Sequence, residues 1–592
     1  MIQPKFRLTA LLLALALCLS MLTGCGGSQT SPAAEGSAAP AAEESAAPAA
    51  EESAASGWGS DLDWSAYDAL ISQIRTTADT AERAKLMHEA EDMLMDTWTI
   101  LPVYYMNNTF LIKDYVQGVN ITPAGTKYFY RANLTNGADA LNIFMADEPS
   151  SLDPALAATV ADMSLAANSF EGLMTYDENG QLQCAQAEKY EVSEDGLTYT
   201  FTLRDGLKWS NGEPLTANDF AYAWRRAADI TNAADYAYLF NVFADAQLDE
   251  EGNLVGLGEG SVEVSEDGKT LTAHLNAVCP YFLDLCAFPT FFPVYEASST
   301  ATATEGLPTG TWANDAGDAY VCNGAYVLNA WNHDSDMTFV KNENYRGAAD
   351  VSVNTLNFML TSDNATAFTA YQAGDLDFVS EIPADEMDAL LAANSPELHM
   401  VPSLGTYFVA CQYNSPLYQE LGLTEEQAKV FRHALCLLID RQNIIDNVGK
   451  AGQHAATSFV PEGCADGNGG EFKNKDYFSV EDYEANVEEA KSLLESIGLW
   501  DGSQLTQPVS FSILTNDTDV SLKLCEALQQ DWAQLGMEVT INKEENATYR
   551  ADRQAGNYDV CRANWLMDYN DPINMLEMWA SSSANDYVYL GR

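Results

Sequence analysis

Few residues in this sequence have the types and spacing that catalysis or metal binding requires. The sequence contains no Gly-x-Ser-x-Gly elbow, no His-Glu-x-x-His pair and no phosphate-binding glycine loop. Its six histidines are scattered without the spacing of metal ligands. A glycoside hydrolase would need two carboxylates about 5–10 Å apart, which the sequence leaves open. We therefore expect a protein that is not an enzyme and that uses neither a metal nor a cofactor.

The composition indicates a large and very acidic globular protein. The chain has 592 residues, for which we expect two or three domains, and 47% of them are hydrophobic. Lys and Arg number 29 against 86 Asp and Glu, so the formal net charge is -57. This charge repels nucleic-acid phosphates and anionic lipid headgroups. We expect no nucleic-acid partner, and membrane attachment only through a specific anchor.

The first residues of the chain supply such an anchor. Lys5 and Arg7 precede an apolar run over residues 11–22 that is short for a bilayer span. The run is followed by Thr23, Gly24 and Cys25, and small residues before such a cysteine resemble a bacterial lipoprotein signal. The resemblance implies removal of residues 1–24 and lipidation of the Cys25 thiol. An ordinary secretory signal is the alternative.

Residues 25–57 form a low-complexity segment dominated by Ala, Glu, Ser, Pro and Gly. Such a segment buries too little apolar area to fold, so we predict a flexible tether with a mean reach of about 30 Å. Nine cysteines remain after Cys18 and Cys25 are set aside, so at least one is unpaired within the chain. Cys279 and Cys286 are candidates either for a disulfide or for two small buried side chains.

Hydrophobic periodicity predicts a mixed α/β body. A capping box at Asp79–Glu82 begins a helix, and residues 100–105 form a buried strand. Alternating runs at 197–203 and 271–275 each follow a turn, which predicts two hairpins of one domain. A helical pattern extends over residues 425–448.

Nine motifs carry a resemblance to a known family. They are Pro149–Pro154, Phe170–Leu173, Val192–Phe201, Leu203–Ser210, Leu215–Phe220, Trp224–Arg226, Asn323–Tyr326, Phe431–Leu435 and Ile439–Arg441. On these motifs the chain from Leu141 onward resembles the peptide- and nickel-type extracellular solute-binding proteins, family 5. The resemblance implies an α/β, two-lobed periplasmic-binding-protein-like fold (type II, cluster C) with an additional domain, three domains in all. The lobes would close around a ligand about a hinge.

The order of the segments differs from the order in that family. Residues 67–71, 83–94, 100–105 and 116–119 resemble the family's C-terminal tail, yet they precede the family's beginning. We predict a circular permutation in which the family's own ends are joined near residues 134–139. Such an order is tolerated when the original ends are close and the new break falls on an exposed loop. A rearranged gene, or an incomplete chain with a stray duplicated tail, is the alternative.

The predicted domains follow from this order. Residues 58–114 are the displaced part of domain III, 115–170 and 301–404 form domain I, 171–300 form domain II, and 405–592 form the rest of domain III.

The resemblance also implies a set of ligand-binding residues. Asp568 occupies the position whose aspartate captures the peptide ammonium in oligopeptide binders, with a turn or capping aspartate as the alternative. Trp565 would form an apolar pocket wall or an ordinary core residue, and Arg562 would meet a peptide carboxylate or form a structural ion pair. The other candidates are the backbones of Ala563, Asn564, Leu566, Ala158, Thr159 and Val160, and the weaker lining residues Tyr236, Tyr407 and Phe408.

Two departures from the family limit what can be transferred. The best-known relatives have a disulfide at the positions of Gly405 and Leu566, which is therefore absent here. They also have an acidic residue near Ala158. The preference for peptide length therefore does not carry over.

These inferences predict an extracytoplasmic, lipid-anchored monomer that delivers peptides to the permease of an ABC importer. A receptor for another solute, such as an oligosaccharide or a nickel chelate, is one alternative. A surface sensor or adhesin that reuses the fold is another, and a non-functional rearrangement product is a third.

Overall fold

The computed structural model describes residues 62–122, 124–145, 148–149, 151–178, 180–249, 254–304, 306–583 and 585–591. The signal, tether and lipidation predictions lie outside these residues. Among the helices of the described residues, none combines the length and apolar character that crossing a bilayer requires.

The secondary structure is a mixture of short helices and strands. The α-helices are α1 (Ser65–Thr76), α2 (Thr80–Asp96), α3 (Val160–Ser169), α4 (Ala217–Ala228), α5 (Phe282–Leu285), α6 (Glu296–Thr302), α7 (Asn364–Ala373), α8 (Ala384–Ala392), α9 (Pro416–Glu420), α10 (Glu425–Leu437), α11 (Arg441–Ile444), α12 (Tyr483–Ser496), α13 (Asp519–Ala533), α14 (Asn546–Ala555) and α15 (Ile573–Leu576). The strands are β1 (Ile100–Ile112), β2 (Val116–Gln117), β3 (Asn120–Ile121), β4 (Lys127–Tyr128), β5 (Asn133–Leu134), β6 (Ala140–Met145), β7 (Met174–Tyr176), β8 (Leu182–Cys184), β9 (Ala187–Val192), β10 (Thr198–Leu203), β11 (Ala246–Leu248), β12 (Leu254–Leu257), β13 (Val262–Val264), β14 (Thr270–His274), β15 (Tyr326–Asn332), β16 (Asp336–Lys341), β17 (Thr355–Leu360), β18 (Phe378–Val379), β19 (Leu398–Cys411), β20 (His454–Ala455), β21 (Ser510–Asn516), β22 (Glu538–Glu544) and β23 (Val560–Leu566).

One large mixed sheet organises the fold. Its strand order is β15-β16-β17-β6-β18-β1-β19-β23-β21-β22, and β20 also pairs with β1. The long strands β1 and β19 lie at its centre and pair antiparallel from Ile100↔Ala410 to Leu111↔Leu398. Strand β1 also pairs with β18 through Leu111 and Ile112. These two strands therefore connect the two halves of the sheet.

A second, four-stranded sheet has the order β13-β14-β10-β9. In β10 and β14 side chains alternate between buried and partly buried, as the two alternating runs predict. Strand β10 pairs with β9 and β14 pairs with β13, so both predicted hairpins form, and they join through β10 and β14.

The segment before residue 134 is part of the same core as the last residues of the chain. The Trp64 Nε1–H donates to the Trp579 carbonyl at 2.9 Å, and the Tyr67 hydroxyl donates to the Leu576 carbonyl at 2.8 Å. Arg83 forms a buried, two-pronged ion pair with Asp571, at 2.7 and 2.9 Å. The N-terminal helices and β1 are therefore integrated into the body rather than appended to it.

Two helices were predicted from local sequence patterns, one beginning at Asp79 and one over residues 425–448. The helix predicted to begin at Asp79 forms, and Asp79 caps it by accepting the Glu82 backbone N–H at 2.8 Å, but the Glu82 carboxylate pairs with Lys85 instead of completing a capping box. The helix predicted over 425–448 is wrong in its length, because α10 ends at Leu437 and a new helix begins after Asp440. Asp440 accepts the Asn443 N–H, and the Arg441 guanidinium donates to the Cys436 carbonyl, so side chains satisfy both helix ends at the break. Cys279 and Cys286 are free, buried thiols.

Candidate functional site

Strand β23 has one paired edge and one open edge. It pairs antiparallel with β19 over its whole length, from Cys411↔Val560 to Gly405↔Leu566. On the other side, β21 pairs with it only at Val560 and Cys561. Among the described residues no strand pairs with the stretch Ala563–Leu566 on this side, which we call the open edge. An unpaired edge of this kind can accept an additional extended chain.

Asp568 lies just beyond the C-terminal end of the open edge. Its carboxylate accepts hydrogen bonds from the Tyr236 hydroxyl at 2.9 Å, the Asn574 amide at 3.2 Å and, more weakly, the Tyr238 hydroxyl at 3.4 Å. Burial raises the pKa of the Asp568 carboxyl, and these three hydrogen bonds act in the opposite direction. No Lys, Arg or His of the described chain lies within 4.0 Å of this carboxylate.

Asn574 holds the aspartate and the neighbouring indole together. Its Oδ1 accepts from the Trp565 Nε1–H at 3.0 Å and from the Asp568 backbone N–H at 3.2 Å. Asn574 belongs to α15, which starts after the Arg83–Asp571 ion pair. The position of Asp568 is therefore set by hydrogen bonds from Asn574 to both its backbone and its side chain.

Arg562 lies at the opposite end of the open edge. Its guanidinium is buried, stacks 4.5 Å from the Tyr549 ring centroid and makes one long hydrogen bond, of 3.4 Å, to the Asn564 Oδ1. Its Nε is buried without a hydrogen-bond partner in the described structure, as is the hydroxyl of Tyr407. No carboxylate of the described residues lies within 4.0 Å of this cation.

Arg553 is a second cation beside the same ring. Its guanidinium lies 5.4 Å from the Tyr549 ring centroid and 4.6 Å from that of Tyr587. It likewise makes no ion pair with a described carboxylate, and its Nε has no described partner. The two arginines therefore share a positive, aromatic environment that an anion would complete.

The structure brings some of the predicted residues together and separates others. Asn564, Trp565 and Leu566 are partly buried along the open edge, and Ala563 is fully buried there. Tyr407 is directly opposite Asn564 in the sheet. Gly405 is directly opposite Leu566, where the family resemblance places them.

Two predictions need correction. Phe408 is fully buried against Phe459 and Trp579, so it is a core residue and does not line the cleft. The backbone N–H groups of Ala158 and Thr159 are not free for a ligand, because both donate to the Asp162 carboxylate in the capping box of α3. Val160, the first residue of that helix, packs against Gly125.

Three site residues were missed from the sequence: Tyr238, Asn574 and Arg553. Tyr238 and Asn574 carry no local signal, because their roles depend on contacts with Asp568 across 330 and 6 residues respectively. Arg553 carried no usable signal either, because Asp552 directly precedes it in the sequence, and only the folded structure shows that Arg553 forms no ion pair with a described carboxylate. The described residues contain no cluster of His, Cys, Asp and Glu that could hold a metal ion.

The sheet, its open edge and the unpaired charges beside it are features of a protein that encloses a solute, and comparison with known proteins identifies the class. The family model for bacterial extracellular solute-binding proteins, family 5 Middle, matches residues 181–587, and the chain belongs to this family.

Individual relatives agree with this assignment. The oligopeptide-binding protein OppA of Bacillus subtilis is 32% identical over 460 residues, which are 76% of this chain and 79% of the relative. The murein tripeptide-binding protein MppA of Escherichia coli has a similar structure, with a TM-score of 0.63 and 28% identity over 77% of this chain and 84% of that chain. OppA of Haemophilus influenzae in complex with the peptide RPPGFSPFR gives a TM-score of 0.60 and 29% identity, over 76% and 85% of the two chains. These likenesses confirm the predicted family and the α/β, two-lobed fold.

Proposed function

We propose that this protein is an extracytoplasmic receptor that encloses a peptide between its lobes and delivers it to an ABC importer, without acting as an enzyme. The observation that carries the proposal is the open edge of β23, with the unpaired carboxylate of Asp568 at one end and the unpaired guanidinium of Arg562 at the other.

The open edge supports binding that depends little on peptide sequence. An extended peptide added to Ala563–Leu566 would be held by main-chain hydrogen bonds, which every residue offers. Trp565 is fixed by Asn574 and would form the wall of a side-chain pocket.

The charges at the two ends of the open edge would determine the direction in which the peptide binds. A peptide has an ammonium at one terminus and a carboxylate at the other, and burying either without a partner is costly. Asp568 would bind the ammonium, with Tyr236 and Tyr238 holding its oxygens from the facing segment. Arg562 and Arg553 would bind the carboxylate.

The similar proteins bear on the ligand class. Relatives over more than two thirds of their length are named oligopeptide-binding, dipeptide-binding and murein peptide-binding proteins. One structural neighbour is a complex with a nonapeptide.

A thermal-shift screen with di- to octapeptides tests the proposal. A bound peptide at a hundredfold excess over its Kd should stabilise the protein by about 3 kcal/mol. If no peptide raises the melting temperature while an oligosaccharide or a nickel chelate does, the ligand class is wrong. If none of these solutes does, a sensor or adhesin role gains support.

The chain order is proposed to be a circular permutation of the family order. Two observations support it: β1 lies at the centre of the sheet beside β19, and the relatives match about three quarters of this chain in sequence order. A gene encoding residues 135–592 followed by 58–134 should give a protein with the same peptide affinity and melting temperature. An insoluble or non-binding product would count against the permuted order and against the predicted domain ranges.

Attachment to the membrane is proposed to occur through a lipid on Cys25, with the monomeric body outside the cytoplasm. The supporting observation is the short apolar run that ends at this cysteine. Labelled fatty acid should be incorporated into the full chain and not into the Cys25→Ala variant. Equal labelling of both would contradict the anchor.

A further inference from the structure

Gly405 interrupts a row of large side chains on one face of the central sheet. Tyr407, two residues further along β19, is directly opposite Tyr104 of β1 and Asn564 of β23, and its ring stacks on Tyr104 at 5.0 Å. Residues two apart in a strand share a face, so Gly405 belongs to the same face as Tyr407. Gly405 is itself directly opposite Leu566. Strand β19 therefore contributes no side chain beside Leu566.

Two apolar side chains from the neighbouring strands cover Gly405. A Cβ placed on this glycine would lie 2.9 Å from the Met106 sulfur and 3.1 Å from a methyl group of Leu566. The Met106 sulfur also lies 4.0 Å from the Asn564 amide nitrogen. Since β19 lies between β1 and β23, Met106 reaches across Gly405 to the open edge. Met106 and Leu566, which we call the apolar pair, are both partly exposed.

The apolar pair lies at the Asp568 end of the open edge. Leu566 is the last residue of β23, and Asp568 follows two residues later. The proposed peptide runs from Asp568, which would bind its ammonium, towards Arg562, and is therefore antiparallel to β23. In an antiparallel pair, directly opposite residues have their side chains on the same face, with Cβ atoms about 5 Å apart. The first or second residue of the peptide would therefore place its side chain against Leu566.

We propose that the apolar pair is a subsite for a large apolar side chain at position 1 or 2 of the peptide. Leu566 makes the direct cross-strand contact, and an aromatic side chain extends over it to Met106, whose flexible thioether adapts to different shapes. This subsite is separate from the Trp565 pocket, because consecutive residues of a strand point to opposite faces. The inference rests on the proposed peptide-binding function and specifies which peptides bind best.

The test uses the full chain and the alanine peptide, from di- to octa-alanine, that gives the largest melting shift. Calorimetry compares variants of this peptide that carry a single Leu, Phe or Asn at position 1 or at position 2. At one of these positions the Leu peptide should bind about tenfold more tightly than the Asn peptide, because the two side chains have nearly the same shape and only Leu is apolar. At the same position the Phe peptide should bind about threefold more tightly than the Leu peptide, because its ring also contacts Met106.

Two substitutions separate the contributions of the apolar pair. Leu566→Asn should reduce the Leu-over-Asn preference to about onefold. Met106→Gln should remove the Phe-over-Leu preference and leave the Leu-over-Asn preference within about twofold. Met400→Gln is the matched control, because Met400 is an exposed methionine of β19 that lies opposite Thr109, beyond the Asp568 end of the open edge. It should leave both preferences unchanged.

The outcomes distinguish failure of the subsite from failure of the proposed function. Equal affinity for the Leu and Asn peptides at both positions refutes the subsite although peptide binding stands, and so does a Leu-over-Asn preference that survives in Leu566→Asn. If Leu566→Asn does not fold, Met106→Gln decides, and a Phe-over-Leu preference that survives in it refutes the subsite. If the wild-type chain binds no alanine peptide and no Leu or Phe variant, the proposed function fails and the subsite falls with it.

Discussion

Asp568 and Asp571 are three residues apart in one loop, but only Asp571 has a cationic partner in the described structure. Asp571 receives a two-pronged ion pair from Arg83, a residue 488 positions away, and both side chains are almost completely buried. Asp568 receives only hydroxyl and amide hydrogen bonds, although burial raises its pKa. Arg226 and Asp153 form another buried ion pair of this kind, whereas the buried Arg432 and Arg441 donate to backbone carbonyls instead.

This difference distinguishes structural charges from charges that await a ligand. A buried charge with its own counter-charge contributes to the native fold. A buried charge with only neutral partners lowers the stability of the free protein, and an added counter-charge would relieve it. Arg83 and Asp571 belong to the framework by this criterion, and we propose that Asp568 and Arg562, which lie at the two ends of the open edge, await a ligand.

The largest expected effect comes from breaking the framework pair. Arg83→Met leaves the Asp571 carboxylate buried and unpaired, so the free energy of unfolding should fall by about 3–5 kcal/mol. Chemical denaturation measures it. The double variant with Asp571→Asn should recover part of the loss, because no buried charge then remains. A loss below 1 kcal/mol in Arg83→Met would mean that the pair is not structural.

The next largest effect is on binding rather than on stability. Asp568→Asn removes the counter-charge for a peptide ammonium, and peptide affinity should fall by about 3 kcal/mol, or roughly a hundredfold. The melting temperature of the free protein should stay the same or rise, because a poorly compensated buried acid is gone. Titration calorimetry measures the peptide affinity of this variant, and a thermal melt measures the stability of its free form. Unchanged affinity would remove Asp568 from the site.

The sequence predicted the elements that depend on local pattern. The alternation at 198–203 places every second side chain of β10 in the core, and Asp79 caps α2 because the side chain and its target N–H are three residues apart. The end of α10 at Leu437 was missed, since it depends on how Arg441 satisfies carbonyls in the folded state.

The site was predictable only in part, for a physical reason. Strand β19 is buried on both faces from Ser403 to Cys411, so a period of two cannot distinguish Tyr407, which lies opposite Asn564, from the core residue Phe408. Tyr236, which contacts Asp568, and Arg83, which contacts Asp571, are 332 and 488 residues away from these aspartates. Only the folded chain reveals which of the two aspartates has a cation.

Glu91 is a further buried acid, and it forms no ion pair with the described Lys, Arg and His residues. It accepts the N–H groups of Phe459 at 3.1 Å and Val460 at 2.8 Å, and burial raises its pKa to about 7. Between pH 4.5 and 7 the native state therefore holds a proton that the unfolded state has lost, so stability falls as pH rises through this window. The loss should be about 3 kcal/mol by pH 8.

Glu91→Gln should remove this part of the pH dependence, because the amide oxygen can still accept both N–H groups. The exposed neighbour Glu89, changed to Gln, is the matched control and should leave the dependence unchanged. Denaturation at pH 5 and pH 8 measures the difference. An identical pH dependence in wild type and Glu91→Gln would contradict the raised pKa.

The smallest effect is expected at the surface. Lys85 and Glu82 form an ion pair on α2 with side chains that are 75% and 50% exposed. Lys85→Met should leave the free energy of unfolding unchanged within the error of a chemical-denaturation measurement. A measurable fall in the free energy of unfolding would mean that exposed ion pairs stabilise this protein as buried ones do.

The central claim is that a peptide ammonium binds the Asp568 carboxylate. The most direct test compares the binding of one peptide with that of its N-acetylated form. The account predicts that the free peptide raises the melting temperature of the wild-type protein, that acetylation abolishes most of the shift, and that Asp568→Asn no longer distinguishes the two forms. An acetylated peptide that binds as tightly as the free one would contradict the assignment of Asp568 to a ligand ammonium.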